Sequence, residues 1–404
     1  MSNNVLIFGA GVSVSAGIPV LSNFIEKMME FGQKGMNGKQ SLSHEDREIF
    51  EKAIGVRKKL NEYHGRASFD DRNLEDILSI LSFNAMSGKR EDKENLNAMI
   101  NGIGKTIELT CSVKHSGKLN ELQSDGPDLY RTFWRRIIKK FNFKDNLPTI
   151  ITFNYDLVLE RSLLQVLINT TFDGTRDDIR SILPYDGLII KYQNELINNP
   201  IYAIEDAEYR VSVYGGDGRY AYGKMLSDNE NFEAKCPLSI DLLKLHGSLN
   251  FPTKKNNNKI SLTRPVENPY ILPPVFNKSF PDSGQKTWKA ALDALRNAKN
   301  VIIVGYSLPI TDIYMQYFFK AGIGPNTDLN KIIVFDPVLF RDDDSCEAMK
   351  KRYGNCFSEQ IRKYIDFRPS NPNANEIFSK RNYYGTFQHF VNLIEDDENY
   401  LFFR

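Results

Sequence analysis

The sequence predicts an α/β protein with a doubly wound parallel sheet of Rossmann-like type. Three observations carry that reading. Short apolar runs are continuous rather than alternating, as strands covered on both faces should be. Segments of helical periodicity separate them, the alternation that builds parallel sheets. Each run ends in glycine or a polar motif, and ligands bind such sheets at the carboxyl ends of the strands.

The elements follow in order. Val5 to Phe8 is a four-residue apolar run stopped by glycine, and reads as a buried strand. "NFIEKMMEF" after it has helical character. From about Gly35 to Asn120 no strand is expected, only helical periodicity and charged linkers; "NLEDILSIL" places Leu74, Ile77, Leu78 and Leu81 on one face. "DLYRTFWRRIIKKF" does the same with Tyr130, Phe133, Trp134, Ile137, Ile138 and Phe141.

"TIITF" at Thr149 to Phe153 is the second buried strand. "LLKLH" at Leu242 to His246 is a third candidate, interrupted by Lys244. "VIIVG" at Val301 to Gly305 and "KIIVFD" at Lys331 to Asp336 complete the set. Between the second and third, "RVSVYGGDGRYAYGK" reads as a hairpin with a glycine-rich turn. Near the end, Phe387, Phe390, Val391 and Ile394 form another helical stripe.

The expected organisation is a discontinuous sheet domain over 1–34 and 142–345, with a helical insertion at 35–141. A smaller second insertion, carrying the hairpin, covers 170–235, and a helical tail covers 346–404. The aromatic-rich tail either docks on its own domain or makes a subunit contact.

Bulk composition narrows the function classes. The 404 residues are 41% hydrophobic and 25% charged, as in a soluble globular protein, and allow two or three structural units. A formal net charge of +1 speaks against direct nucleic-acid binding. Cys111, Cys236, Cys346 and Cys356 form no C-x-x-C pair, so no four-cysteine zinc ribbon is written and no metal is expected. Such sparse cysteine fits free thiols in a reducing cytosol. No stretch approaches the roughly 20 apolar residues that span a bilayer, so a cytoplasmic protein without membrane contact is expected.

The glycine turn "VLIFGAGVSVSAGIP" poses the central question. A dehydrogenase fingerprint needs G-x-G-x-x-G and an acidic residue about 20 positions on, at the end of a second strand. Gly9 and Gly11 fit, but Val14 stands at the third glycine position, and Glu26 and Glu30 fall in a helical stretch. Hydride transfer therefore loses two supports. What remains is a turn whose amides, with the Ser13 or Ser15 hydroxyl, can approach a pyrophosphate.

Four further motifs close strands. "TFNYD" places Asn154 and Asp156 two residues apart, either pointing into a crevice or capping the following helix. "KLHGS" puts His246 at a strand end, in a structural or a catalytic role. "GYSLPITD" brings Gly305 and Ser307, and Asp336 ends the last strand, where it can meet ribose hydroxyls or cap a turn.

Together the ordered motifs GAG-x-S-x-x-x-GIP, T-x-N-Y-D, K-L-H-G-S and G-Y-S-L-P resemble the sirtuin-like (silent information regulator) superfamily, across the sheet-forming half of the chain. The resemblance implies a sirtuin-type sheet and NAD binding by Gly9, Ala10, Gly11, Ser13, Gly17, Ile18 and Pro19. It implies that Asn154 and Asp156 flank the nicotinamide ribose, that His246 is the general base, and that Gly305, Ser307 and Asp336 contact the adenosine half.

Two departures matter. Val20, Leu21 and Ser22 replace the acidic-aromatic-basic triplet of protein deacylases, and the interval after His246 holds no cysteine where those enzymes insert a zinc ribbon. The chain is more similar to bacterial sirtuin-like proteins of anti-phage defence, which hydrolyse NAD. That likeness implies NAD as substrate and a second component such as a HerA-type DNA-translocating ATPase; a homo-oligomer is expected from the apolar surface of the aromatic-rich tail. NAD-dependent deacylation and a non-catalytic NAD- or ADP-ribose-binding scaffold are the alternatives.

Overall fold

The computed structural model describes residues 3–66, 68–114, 128–141, 147–172, 189–197, 201–202, 239–255, 260–272, 284–310, 312–369, 371–380, 382–395 and 401–402. The expected hairpin at 210–224 and most of the 170–235 segment lie outside the described residues.

The strands are β1 (Asn4–Phe8), β2 (Met36–Asn37), β3 (Gln40–Ser41), β4 (Thr149–Thr152), β5 (Ile189–Lys191), β6 (Ile201–Tyr202), β7 (Ser239–Lys244), β8 (Asn300–Val304), β9 (Lys331–Phe335) and β10 (Ile365–Asp366). Eight of them form one sheet in the order β10-β9-β8-β1-β4-β7-β5-β6. Every pairing is parallel except β5 with β6, so seven parallel strands carry one antiparallel edge strand. This is an α/β, Rossmann-like sheet.

The helices are α1 (Leu21–Lys34), α2 (His44–Asn61), α3 (Leu74–Ala85), α4 (Arg90–Thr110), α5 (Leu129–Phe141), α6 (Val158–Phe172), α7 (Gln285–Arg296), α8 (Ile313–Ile323), α9 (Asp344–Gly354), α10 (Glu359–Arg362), α11 (Ala374–Ser379) and α12 (Phe387–Leu393). They cover both faces. Leu6 and Phe8 of β1 point into one core with α1 to α6 and α12, while Val5 and Ile7 point into the other with α7, α8 and α9. The period-2 alternation of a strand splits one apolar run between two cores, which is why the run is continuous.

Two expectations are corrected. The 35–120 stretch is not strand-free: β2 and β3 form a two-stranded antiparallel hairpin there, around Gly38 with φ of 59°. Four residues make a strand pair too short to leave an apolar signature. The sheet is also wider than the five runs predicted, because the edge strands β6 and β10 and the strand β5 beside β6 are only two or three residues long.

The C-terminal stripe is used within the chain. Phe387 and Phe390 pack edge-on against Phe8, with ring centroids at 5.7 and 6.3 Å. Phe402 meets Phe141 at 5.2 Å, and Asn300 Nδ2 donates to the Leu401 carbonyl at 3.1 Å. The tail docks on its own domain through these aromatic side chains.

The order of strand addition reverses about β1: β4 and β7 extend the sheet one way, and β8 and β9 the other. The carboxyl ends of β1 and β8 thus mark the topological switch point, where open α/β sheets bind ligands.

Candidate functional site

All five polar motifs reach this edge. After β1 the chain winds into a 3-10 turn, Ala10–Ala16, closed by Gly17 in the left-handed region at φ of 84°. A side chain is excluded at the turn's entry by the neighbouring strand end. A Cβ on Gly9 would lie 2.4 Å from the Gly305 carbonyl oxygen, and one on Gly11 would lie 2.7 Å from Gly305 Cα. Gly305 itself sits at φ of 65°. The glycines let two strand-end turns cross, a structural need that stands apart from any ligand.

That crossing uses donors the sequence reading offered to a pyrophosphate. The Gly9 amide donates to the Val304 carbonyl and the Gly11 amide to the Gly305 carbonyl, each at 3.0 Å. Ala10, Val14, Ser15 and Gly17 form the solvent-facing side of the turn, while Ser13 is turned inward and buried. Ile18 is buried and Pro19 half-buried. Ser112 clamps the turn from the end of α4, its amide and hydroxyl both donating to the Ala16 carbonyl, at 2.7 and 3.0 Å.

Ser13, Asn154 and Asp156 meet directly. Ser13 Oγ donates to Asp156 Oδ2 at 2.7 Å, and Asn154 Nδ2 donates to Ser13 Oγ and to the Gly9 carbonyl, both at 2.9 Å. Asp156 Oδ1 accepts the Val158 amide at 3.0 Å. One carboxylate oxygen of Asp156 thus caps α6, as one of its two readings has it, and the other faces the β1 turn.

His246 follows β7 as Asn154 follows β4. Thr152 and Lys244 are registered partners, so each residue lies two positions beyond a paired strand end. The imidazole is 5% exposed and bracketed by Phe153, Tyr155 and Trp288, with ring centroids at 5.5, 6.4 and 6.4 Å. Phe153 also contacts Tyr306 at 4.7 Å, which links the ends of β4, β7 and β8 through one aromatic row. Burial holds the Tyr306 phenol well above its usual range, so its hydroxyl stays protonated and donates to Asp312 Oδ2 at 2.7 Å.

Ser307 and Asp336 lie on the β8–β9 side. Arg352 donates to the Ser307 carbonyl from Nε and Nη2, at 3.3 and 3.2 Å. Asp336 is buried, and its carboxylate accepts the Val338 amide at 2.9 Å. Burial raises its pKa, against the lowering effect of that amide, Arg341 and Arg352. A Cβ on Gly385 would lie 2.3 Å from the Asp336 carbonyl oxygen, so the C-terminal segment runs close over this residue.

A small cavity opens beneath the cluster, lined by Ser13, Asn154, Asp156, Glu160 and Lys244 among others. It has room for about one ordered water. The cavity is too small to hold a dinucleotide. Two of its lining residues, Lys244 and Glu160, belong to no expected site. The signal for Lys244 was present, as a cation interrupting an apolar strand; Glu160 sits unannounced in an ordinary helix.

Among the described residues no group of three or more His, Cys, Asp or Glu is placed to hold a metal ion, and no helix is long and apolar enough to cross a membrane. Cys111, Cys346 and Cys356 are buried free thiols. No protein-family model matches the chain, and no curated protein matches it.

Proposed function

We propose that this protein hydrolyses NAD at the bond between nicotinamide and ribose, releasing nicotinamide and ADP-ribose. One observation supports the reading above others. Ser13, Asn154 and Asp156, from two motifs more than a hundred residues apart, are hydrogen-bonded at the carboxyl ends of the paired strands β1 and β4, beside the switch point, with His246 on the next strand end.

The chemistry asks little of the protein in leaving-group assistance, since nicotinamide departs from a cationic ring. The barrier is the positive charge developing on ribose, which fixed polar groups and a carboxylate can stabilise. Asp156 would hold the nicotinamide end, Asn154 would orient the attacking water, and His246 would take a proton from that water or from a ribose hydroxyl. A positioned base contributes roughly 10²–10⁴-fold. The outer side of the 10–17 turn would meet the phosphates, with Gly305, Ser307 and Asp336 toward the adenosine half.

This reading carries the finer architecture with it: a sirtuin-type sheet, insertions at 35–141 and 170–235, and a tail at 346–404. The absence of cysteine between His246 and Val301 favours hydrolysis over deacylation, because no ribbon is there to shape an acyl-lysine channel. In this reading the protein is a cytoplasmic effector of bacterial anti-phage defence. It depletes cellular NAD as a homo-oligomer, with a second component such as a HerA-type ATPase supplying nucleic-acid contact.

A second reading, a non-catalytic NAD- or ADP-ribose-binding scaffold, is favoured by the double engagement of the Asn154 amide with Gly9 and Ser13. One experiment separates the two. The protein is incubated with NAD, alone and with the proteins that co-purify from its host, and free nicotinamide and ADP-ribose are resolved by chromatography. Stoichiometric release supports hydrolysis; saturable NAD binding without release, in both preparations, supports the scaffold and overturns the enzyme.

A further inference from the structure

Lys244 ends β7 between Leu243 and Leu245, with its side chain 2% exposed. Its Nζ meets Glu160 Oε1 of α6 at 2.8 Å, and the Glu160 side chain is 1% exposed. Two charges buried this deeply lose most of their hydration, and apolar replacements of such pairs are often neutral or stabilising. Stability of the sheet therefore gives no reason for a lysine here. Packing would be served by another leucine.

The ammonium has one more contact. Lys244 Nζ also donates to the main-chain carbonyl of Asp156, at 2.5 Å. Glu160 is held in turn by Tyr192, whose hydroxyl donates to Oε1 at 3.2 Å, and Tyr192 Oη accepts from Asn250 Nδ2 at 3.3 Å. A continuous polar chain thus runs from Asn250 through Tyr192, Glu160 and Lys244 to Asp156, and on through Ser13 to Asn154. It ties the ends of β7, β4 and β1 together.

We infer that the buried Lys244–Glu160 pair is a positioning device: it fixes the Asp156 backbone and, through the Asp156 carboxylate, the Ser13–Asn154 arrangement at the candidate site. Its value to turnover rests on the proposed NAD chemistry; its action on the Asp156 turn does not. Neither residue touches substrate in this account. Their charges trade hydration for a fixed carbonyl position, which a flexible or apolar neighbour cannot supply.

The test uses the full chain with both charges removed together, Lys244→Met with Glu160→Gln, so that no lone buried charge remains to unfold it. Thermal stability at or above wild type is expected. Hydrogen exchange of the Val158 amide, which donates to Asp156, should quicken by about tenfold or more while β1 and β8 amides stay unchanged. Nicotinamide release should fall by about tenfold in kcat, a loss near 1.4 kcal/mol. Lys244→Arg, which keeps a charged donor, should recover part of both.

Wild-type exchange at Val158 overturns the inference, whatever happens to activity. Faster exchange with undiminished kcat overturns its link to the reaction. Should the wild-type chain release no nicotinamide, the proposed function falls and the exchange measurement still decides the positioning claim. If the double variant is unstable, Lys244→Leu with Glu160→Met, which likewise leaves no lone buried charge, carries the same two measurements.

Discussion

Ser13→Ala probes the point where the site is most tightly wired. The hydroxyl is both donor and acceptor: it gives its proton to Asp156 at 2.7 Å and takes one from Asn154 at 2.9 Å. Removing it leaves a carboxylate oxygen and an amide hydrogen facing a gap the size of one oxygen. Hydrogen bonds to a charged group are worth about 1.5–3 kcal/mol. Asn154 keeps the Gly9 carbonyl and Asp156 keeps the Val158 amide, so neither group is stranded outright. The expected loss is about 2 kcal/mol, read as a lowered urea midpoint with an unchanged slope.

A double-mutant cycle with Asp156→Ala isolates the contact. Alone, Asp156→Ala loses the α6 cap as well, about 1 kcal/mol, and that part cancels in the cycle. The remaining coupling should be about 1–2 kcal/mol. Coupling within about 0.5 kcal/mol of zero would show that the two residues act independently, and the wiring described above would be wrong.

Three other outcomes follow from the geometry. Gly11→Ala puts a methyl carbon 2.7 Å from Gly305 Cα, backbone that cannot swing aside, so circular dichroism and urea melts should show a loss of about 1–3 kcal/mol. His389 is buried among Phe335, Phe340, Tyr383 and Tyr384, its Nδ1 accepting the Gly385 amide, and burial lowers its pKa to about 4. The unfolded chain binds that proton more readily, so stability should fall as pH drops from about 6.5 toward 4, and His389→Gln should flatten urea midpoints across that window. Burial shifts Asp336 the other way: its folded pKa is raised, so it weakens the fold as pH rises through that value, and Asp336→Asn should be at least as stable as wild type at neutral pH in the same melts.

The legible parts of the fold share one physical cause. β1, β4, β8 and β9 are buried on both faces, so their central residues are a continuous apolar run that announces itself. β7 was legible only from Leu242 onward, because Ser239 and Asp241 face a less buried side near the sheet's edge. β5, β6 and β10 are too short to show a period. Helices α3, α5 and α12 were readable for the opposite reason: each has one wet face, which gives the apolar residues their spacing.

At the site, residue type and strand end were legible but direction was not. The sequence places Ser13, Asn154 and Asp156 at strand ends; that the three bond to one another depends on the pairing of β1 with β4, strands more than a hundred residues apart in sequence. The glycine pattern suggests a turn whose backbone can approach a pyrophosphate; in the fold Gly9 and Gly11 also clear Gly305, and Gly17 clears the Thr110 carbonyl, contacts no local pattern announces. Lys244 looked like a defect in a strand, and its partners lie 84 and 88 residues away in sequence, beyond any local signal.

The central claim is that Asn154 and His246 serve one reaction on NAD. It is tested most directly by nicotinamide release from NAD by wild type, Asn154→Ala and His246→Ala, each shown folded by its melting curve. The account predicts release by wild type and a fall of roughly 10²–10⁴-fold in both variants. Release at the wild-type rate by either variant would contradict it.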